Sequence, residues 1–269
     1  MKEMVVRCVV VSVLMFVNAV MSNAADNVQT QVKKIPVILD TDIGDDIDDT
    51  WALGMLLRCP ELDVKLVVSD YGKVQYRAKL LAKFLQIAGR TDIPVGLGLD
   101  VEPRGDAGQA AWVKDYDLNS YPGKVHNDGV QAMIDMIMQS KEQITLLCIG
   151  PLPNIAAALE REPRIAERAK FVGMHGSVRL GYGGNKTPAP EWNVKAGPKA
   201  CQKAFTAPWE MIITPLDTCG LVSLSGDRYR KVRDSKDIIA ATIIENYRIW
   251  SKKKEVAEEH SSVLFDCVA

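Results

Sequence analysis

The sequence has little excess charge and few groups that titrate near neutral pH. Its 33 Lys and Arg residues oppose 34 Asp and Glu residues for a net charge of −1, and there are three histidines. This balance gives no electrostatic case for binding nucleic acid or an acidic membrane surface. Hydrophobic content of 47% and charged content of 25% are ordinary for a globular protein with a sizeable core.

Metal-binding cysteine pairs, internal repeats and low-complexity tracts are also lacking. No two of the six cysteines have CxxC spacing. Beyond the N-terminal segment an odd number remains, which indicates buried apolar cysteines and no disulfide framework. These are Cys59, Cys148, Cys201, Cys219 and Cys267.

The longest apolar run lies at the N-terminus. Lys2 and Arg7 precede "CVVVSVLMFVNAVM", and "SNAAD" offers small residues for cleavage near Ala24 or Ala25. This layout predicts a signal peptide over residues 1–25, with export to the periplasm or the medium and no membrane association after cleavage. A retained membrane anchor is the alternative, but the run is shorter than the ~20 residues that a spanning helix needs.

Apolar strand-like runs alternate with helical patterns through the remaining residues, 26–269. Strands are predicted in "IPVILD", "VKLVVSD", "IPVGLG", "ITLLCIG", "KFVGMHG" and "WEMIITPLD", and mainly helix after about residue 226. The alternation predicts an α/β fold with one domain: a mostly parallel, Rossmann-like open sheet with helices on both faces.

Six aspartates occupy ten positions in "VILDTDIGDDIDDTWAL", residues 37–53, where the first strand gives way to a helix. In open α/β sheets, ligands bind at that edge. A helix N-terminus stabilises a nearby carboxylate by roughly 0.3–1 kcal/mol, which explains two of the six. A hard divalent cation such as Ca²⁺ explains the set, because it takes 6–8 oxygen ligands. A capped acidic loop without metal is the alternative.

Four segments resemble the inosine–uridine-preferring nucleoside hydrolases. The first is "ILDTDIGDDIDDTWAL", which is similar to the family's DxDxGxDDxxAL signature with two extra residues after the glycine. The others are "LLCIGPLPNIAAAL", "GGNKTPAPEWN" and "LFDCVA", and all four follow the family's order across residues 37–269. The resemblance implies the nucleoside hydrolase fold and Ca²⁺-dependent cleavage of the N-glycosidic bond, giving free base and ribose.

By position, the resemblance implies a Ca²⁺ site in which Asp42 is both a ligand and the base that takes a proton from the metal-bound water. The other implied ligands are Asp49, the main-chain carbonyl of Ile149, and Asp266. Asp40 matches an aspartate that supports the loop.

The resemblance also implies a substrate site. Ribose hydroxyls are assigned to Asp48, Asn185, Glu191 and Asn193. The two-residue insertion leaves Asp46 as the alternative to Asp48. The implied partner is a small nucleoside. The preferred base and homo-oligomerisation stay open.

Residues near the expected base differ from the family pattern. Phe265 stands where a histidine commonly precedes the last aspartate. His126 and Tyr71 are candidates to replace it as proton donor, and His126 is therefore a predicted site residue. Trp192 is either a pocket wall or a core residue. Family proteins continue beyond the position of Ala269, so we expect a chain truncated at its C-terminus.

Two other functions remain open from the sequence. A haloacid-dehalogenase-like phosphatase would use Asp40 as nucleophile and Asp42 as acid/base, but "SGDRYRKVRD" lacks an aspartate that it needs. A catalytically inactive, Ca²⁺-dependent nucleoside- or sugar-binding protein is the second alternative.

Overall fold

A parallel sheet organises the chain. The structure is a computed structural model that describes residues 33–102, 106–252 and 255–269, so the predicted signal peptide lies outside the described residues. Seven strands are present within those ranges, and every pairing between them is parallel. They are β1 (Ile35–Thr41), β2 (Leu62–Ser69), β3 (Val95–Leu97), β4 (Val125–His126), β5 (Ile144–Cys148), β6 (Ala169–Gly173) and β7 (Met211–Ile213).

Helices connect the strands and fill the C-terminal part. In chain order they are α1 (Asp48–Arg58), α2 (Val74–Ile87), α3 (Gly129–Gln139), α4 (Pro153–Arg161), α5 (Ile165–Arg168), α6 (Trp192–Ala196), α7 (Pro198–Phe205), α8 (Leu216–Cys219), α9 (Gly226–Arg233), α10 (Ile238–Ser251) and α11 (Val256–Glu259). Short 3₁₀ turns span Ala110–Val113, Leu118–Ser120, Tyr182–Gly184 and Asp266–Val268. Within the described ranges, no helix has the length and hydropathy needed to cross a bilayer.

Each face of the sheet carries its own apolar core. Side chains alternate along a strand, so Val37 and Leu39 of β1 pack on one face while Ile38 packs on the other. The first core includes residues of α1, α2 and α10, and the second includes residues of α3, α4 and α7. Burial on both faces explains why β1 reads as a nearly continuous apolar run.

The strand order places two loops side by side. The order is β4-β3-β2-β1-β5-β6-β7, so the chain winds outward from β1 in one direction and then from β5 in the other. Such a reversal opens a crevice at the carboxyl ends of the two central strands. The aspartate loop follows β1, and Ile149 follows β5.

The predicted fold class is confirmed. The structure adds one strand that we did not predict, β4, whose two residues are too few to show a period. The last predicted strand, residues 209–217, is shorter than expected. Only three of its residues are in β7, because Pro215 precedes the short helix α8.

A buried asparagine ties the central strand ends together. Asn154, in the first turn of α4, donates through Nδ2 to Asp40 Oδ1 at 2.8 Å and to the Ser69 carbonyl at 3.2 Å. Its Oδ1 accepts the Leu99 N–H at 2.8 Å. Asn154 therefore links the segments that end β1 and β2 with the segment that follows β3.

We expect Asn154→Ala to lower the free energy of unfolding by about 2–4 kcal/mol, because buried partners would lose their hydrogen bonds. Asn119→Ala is the matched control, since Asn119 is exposed and bonds only within its own turn. Urea unfolding followed by circular dichroism measures both. A loss below about 1 kcal/mol for Asn154→Ala would contradict this role.

Candidate active site

The aspartate loop lies at the crevice, and most of its carboxylates are buried. Asp42, Asp48 and Asp49 are 5%, 3% and 1% exposed. Asp48 and Asp49 begin α1, where the positive end of the helix dipole stabilises negative charge. Gly44 makes the turn between Asp42 and Asp48 possible: its φ is +109°, and a Cβ there would lie 2.6 Å from a methyl group of Leu80.

Four carboxylates converge from two distant parts of the chain. One carboxylate oxygen from each of the four residues lies within 4.8 Å of the corresponding oxygens of the other three. Asp266 comes from the C-terminal 3₁₀ turn, and its N–H lies 3.4 Å from Asp48 Oδ2. Asp49 also accepts a hydrogen bond from the Thr41 hydroxyl. The four are Asp46, Asp48, Asp49 and Asp266.

Burial and repulsion from neighbouring carboxylates oppose ionisation of the buried aspartates at this site. Removal from water raises the pKa of Asp42 to about 8, an effect that Arg77 partly offsets and Asp45 and Asp46 reinforce. For Asp48, Asp49 and Asp266, burial followed by repulsion from neighbouring aspartates raises the pKa well above its usual range.

The donor set fits a hard divalent cation. Carboxylate and carbonyl oxygens are the ligands that Ca²⁺ takes, and a cation between these carboxylates would offset their repulsion. No Lys, Arg or His side chain is among the described residues that line the pocket, so these do not supply that charge. Of the four ligands that the sequence predicted, Asp49 and Asp266 are in the convergent group, and Asp42 and Ile149 line the same pocket.

A buried arginine supports the loop from below. The Arg77 side chain is 0% exposed, and its guanidinium donates to the main-chain carbonyls of Asp42, Ile43 and Tyr71. Its Nη2 also lies 3.1 Å from Asp45 Oδ1. Arg77 thereby fixes the path of the backbone that carries Asp42. Sequence analysis missed it, although a charged residue within the apolar stripe of α2 was a usable signal.

A glycine keeps the β5 loop close to Asp42. A Cβ on Gly150 would lie 2.9 Å from both the N and Oδ1 of Asp42. This contact requires the absence of a side chain at position 150. The two loops at the crevice can therefore approach closely enough for Asp42 and Ile149 to line one pocket.

The predicted ribose residues divide into two groups. Glu191 and Asn193 are buried and line the pocket, whereas Asn185 is exposed and outside its lining. The Glu191 carboxylate accepts backbone N–H groups of Gly176, Asn193 and Val194, so it caps α6 as well as facing the pocket. Burial raises the pKa of Glu191, and those three hydrogen bonds lower it.

Asn193 joins the predicted ribose site to the β5 loop. Its Nδ2 donates to the carbonyls of Ile149 and Met174, each at 3.0 Å. Both amide hydrogens are therefore in use, while the side-chain oxygen can still accept a hydrogen bond from a hydroxyl group. Because Ile149 is also a predicted ligand, a substitution at Asn193 would alter both the sugar site and the cation site.

Aromatic side chains form another wall of the pocket. Trp192 is 40% exposed and lines the pocket, which excludes the core alternative for it. Phe265 lines it too, and its ring meets that of Tyr182 edge-on, with centroids 6.0 Å apart. Sequence analysis did not single out Tyr182. Its place among glycines just before the Asn185 block was the available signal.

The structure places none of the three histidines among the described lining residues. His126 lies on β4, at the edge of the sheet, and burial lowers its pKa. His175 is 1% exposed between Phe171 and Phe205, and burial lowers its pKa to about 4. His260 follows α11 and contacts the Ser261 carbonyl. Tyr71, the other candidate donor, is 1% exposed and also outside the lining.

Comparison with known proteins decides the family. The family model for inosine-uridine preferring nucleoside hydrolases matches residues 37–269. The chain belongs to this family. A ribonucleoside hydrolase described as non-specific, RihC of Klebsiella pneumoniae, is 33% identical over 204 residues, covering 72% of this chain and 65% of the relative. The chain thus spans less than two thirds of that relative's length.

Other similar proteins carry names of the same family. The pyrimidine-specific ribonucleoside hydrolase RihA of an Enterobacter species is 29% identical over 234 residues, covering 82% of this chain and 73% of that protein. Among solved structures, the plant nucleoside hydrolase PpNRh1 has a TM-score of 0.70 at 23% identity, covering 87% and 76% of the two chains. The Bacillus anthracis inosine-uridine preferring nucleoside hydrolase also scores 0.70, at 20% identity and with coverage of 87% and 79%. These structural matches support the nucleoside hydrolase fold.

We expect the metal-free protein to bind Ca²⁺ at the convergent carboxylates. Asp49→Asn should weaken this binding by about a hundredfold or more, because the variant loses a buried negative charge at the cation. Asp135→Asn is the control, since Asp135 is exposed on α3. Isothermal titration calorimetry measures both, and equal affinities in the two variants would refute the assignment.

Proposed function

We propose that this chain hydrolyses the N-glycosidic bond of ribonucleosides in a Ca²⁺-dependent reaction. The main support is that the carboxylates of Asp46, Asp48, Asp49 and Asp266 converge. They do so in a pocket that Glu191 and Asn193 also line. Family membership supports the same reaction. Cleavage of this bond passes through a transition state in which the sugar carries positive charge. Nearby negative charge stabilises that transition state.

In this proposal, Asp42, Asp49, Asp266 and the Ile149 carbonyl hold the cation, and the short oxygen–oxygen separations add Asp48 and Asp46 as further neighbours. Ca²⁺, when bound, makes a neighbouring water easier to deprotonate at neutral pH. Asp48 can lie beside the cation and also bind a ribose hydroxyl, because a carboxylate has two oxygens.

The protein side chains then supply position and proton transfer. Asp42 accepts a proton from the water that attacks the anomeric carbon. Glu191 and Asn193 bind ribose hydroxyls and fix the sugar against that water. Carboxylates beside the ring stabilise positive charge as the bond to the base breaks. The aromatic wall packs against the base.

The structure argues against the phosphatase alternative. That reaction needs Asp40 exposed as a nucleophile, but Asp40 is 0% exposed, and Asn154 holds its Oδ1. Burial raises its pKa to about 7, an effect that the Asn154 bond partly offsets. In this proposal, Asp40 supports the end of β1 through its hydrogen bond to Asn154.

Export belongs to this proposal as well. The basic residues, apolar run and small residues of the first 25 positions support a periplasmic or secreted hydrolase acting in nucleoside breakdown. The predicted partners are small nucleosides, with no nucleic acid.

The function is tested by incubating the protein with inosine, uridine or p-nitrophenyl riboside and measuring the reducing sugar that is released. We expect the wild-type protein to release ribose from each substrate that it accepts. Binding without turnover would favour the inactive nucleoside-binding alternative.

Two substitutions test the sugar assignment. At saturating Ca²⁺, which separates the sugar contact of Asn193 from its contact with the Ile149 carbonyl, Glu191→Gln and Asn193→Ala should lower kcat/KM on every riboside by about ten- to a hundredfold, since all substrates share the sugar. Glu210→Gln and Asn127→Ala, at exposed positions, are the controls. A loss confined to one nucleobase would show that these residues read the base.

A further inference from the structure

The pocket contains abundant acceptors but few neutral hydrogen-bond donors for a departing base. Its described lining includes no histidine, and Phe265 has no proton to donate. The carboxylates are needed for the cation and the sugar under the proposed function. Among the described lining side chains, the Tyr182 hydroxyl is the neutral O–H donor.

The geometry of Tyr182 leaves its proton available. The Trp192 N–H donates to the Tyr182 hydroxyl oxygen at 2.8 Å, so the oxygen is anchored as an acceptor. A hydroxyl can accept and donate at once. The side chain is 45% exposed, and its ring is held edge-on against Phe265. The donor thus lies on the same wall as the two aromatic rings suited to a planar base.

The environment favours the protonated form of Tyr182. Burial raises its pKa to about 12; the Trp192 hydrogen bond lowers it, and Glu191 and Asp46 raise it. The hydroxyl therefore keeps its proton throughout the neutral range and acts as a donor, not as a base.

We propose that the Tyr182 hydroxyl donates a hydrogen bond to the nucleobase as it departs. The C1′–N bond breaks, and its electron pair stays on the base, whose acceptor atoms gain negative charge. The Tyr182 O–H stabilises that charge without losing its proton, and solvent protonates the free base after release. Meanwhile water forms the new C1′–O bond and loses its proton to Asp42. This inference rests on the proposed function.

The test compares substrates that differ in how much help their leaving group needs. For Tyr182→Phe, we expect kcat/KM for inosine or uridine to fall by about ten- to a hundredfold. For p-nitrophenyl riboside, whose leaving group departs readily, the change should be less than about threefold. Tyr116→Phe, a hydroxyl outside the pocket lining, should change neither.

A purely structural role gives a different result. If Tyr182 only anchors the Trp192 backbone, Tyr182→Phe should slow both kinds of substrate equally, and that outcome would overturn the proposal. Tyr182→His offers a ring N–H donor and should recover part of the nucleoside rate that Tyr182→Phe loses. No recovery in a variant that still binds Ca²⁺ normally would count against the donor role.

The proposed function and this inference fail in distinguishable ways. If the wild-type protein cleaves none of the ribosides, the function fails, and the inference fails with it. If the wild-type protein cleaves them and the ratio of nucleoside to p-nitrophenyl rates is unchanged in Tyr182→Phe, only the inference fails.

Discussion

Repulsion among buried carboxylates is the constraint on which this structure depends. Three buried carboxylates, those of Asp48, Asp49 and Asp266, and the exposed carboxylate of Asp46 have oxygens within 4.8 Å of one another. Desolvation and like charge both disfavour ionisation there. A fold that keeps such a cluster must stabilise it through nearby protein groups and through a bound positive charge. The first requirement accounts for the helix dipole and the buried polar side chains around the aspartate loop.

The local stabilisation comes from the scaffold. The positive end of the α1 dipole lies at Asp48 and Asp49, and the Arg77 guanidinium is buried against the carbonyls of Asp42 and Ile43. Asn154 holds the carboxyl end of β1 to its neighbours. These groups fix the backbone but leave the pocket side of the carboxylates without positive charge among the described lining residues. A divalent cation would complete the balance, and the same charge would assist attack by water on a sugar.

Sequence reasoning predicted the parts of this structure that have strong local patterns. The apolar strands, the amphipathic helix α2 and the aspartates all have clear periods or composition, and chain topology brings strand ends to one edge. Family motifs then linked Asp266 to a loop more than 200 residues earlier. The two-residue strand β4 had no period to detect. The separation of His126 from the pocket follows from its place on this edge strand.

Other site features required tertiary contacts to be seen. Arg77 interrupts the apolar stripe of α2, but only the structure shows that its guanidinium contacts the carbonyls of Asp42 and Ile43. Tyr182 belongs to a glycine-rich loop with no period. Glu191 was assigned to ribose, but the structure shows that it also caps α6. Such double use of a side chain follows from three-dimensional packing and leaves no separate pattern in the sequence.

The most direct test of the account measures cation occupancy and turnover in the same sample. Metal-free protein is titrated with Ca²⁺, and bound metal and the release of base from a nucleoside that the wild-type protein cleaves are recorded at each step. The account predicts no turnover without metal and a rate that rises with occupancy to a maximum at one functional Ca²⁺ per chain. Full turnover in verified metal-free protein, or none at full occupancy, would contradict it.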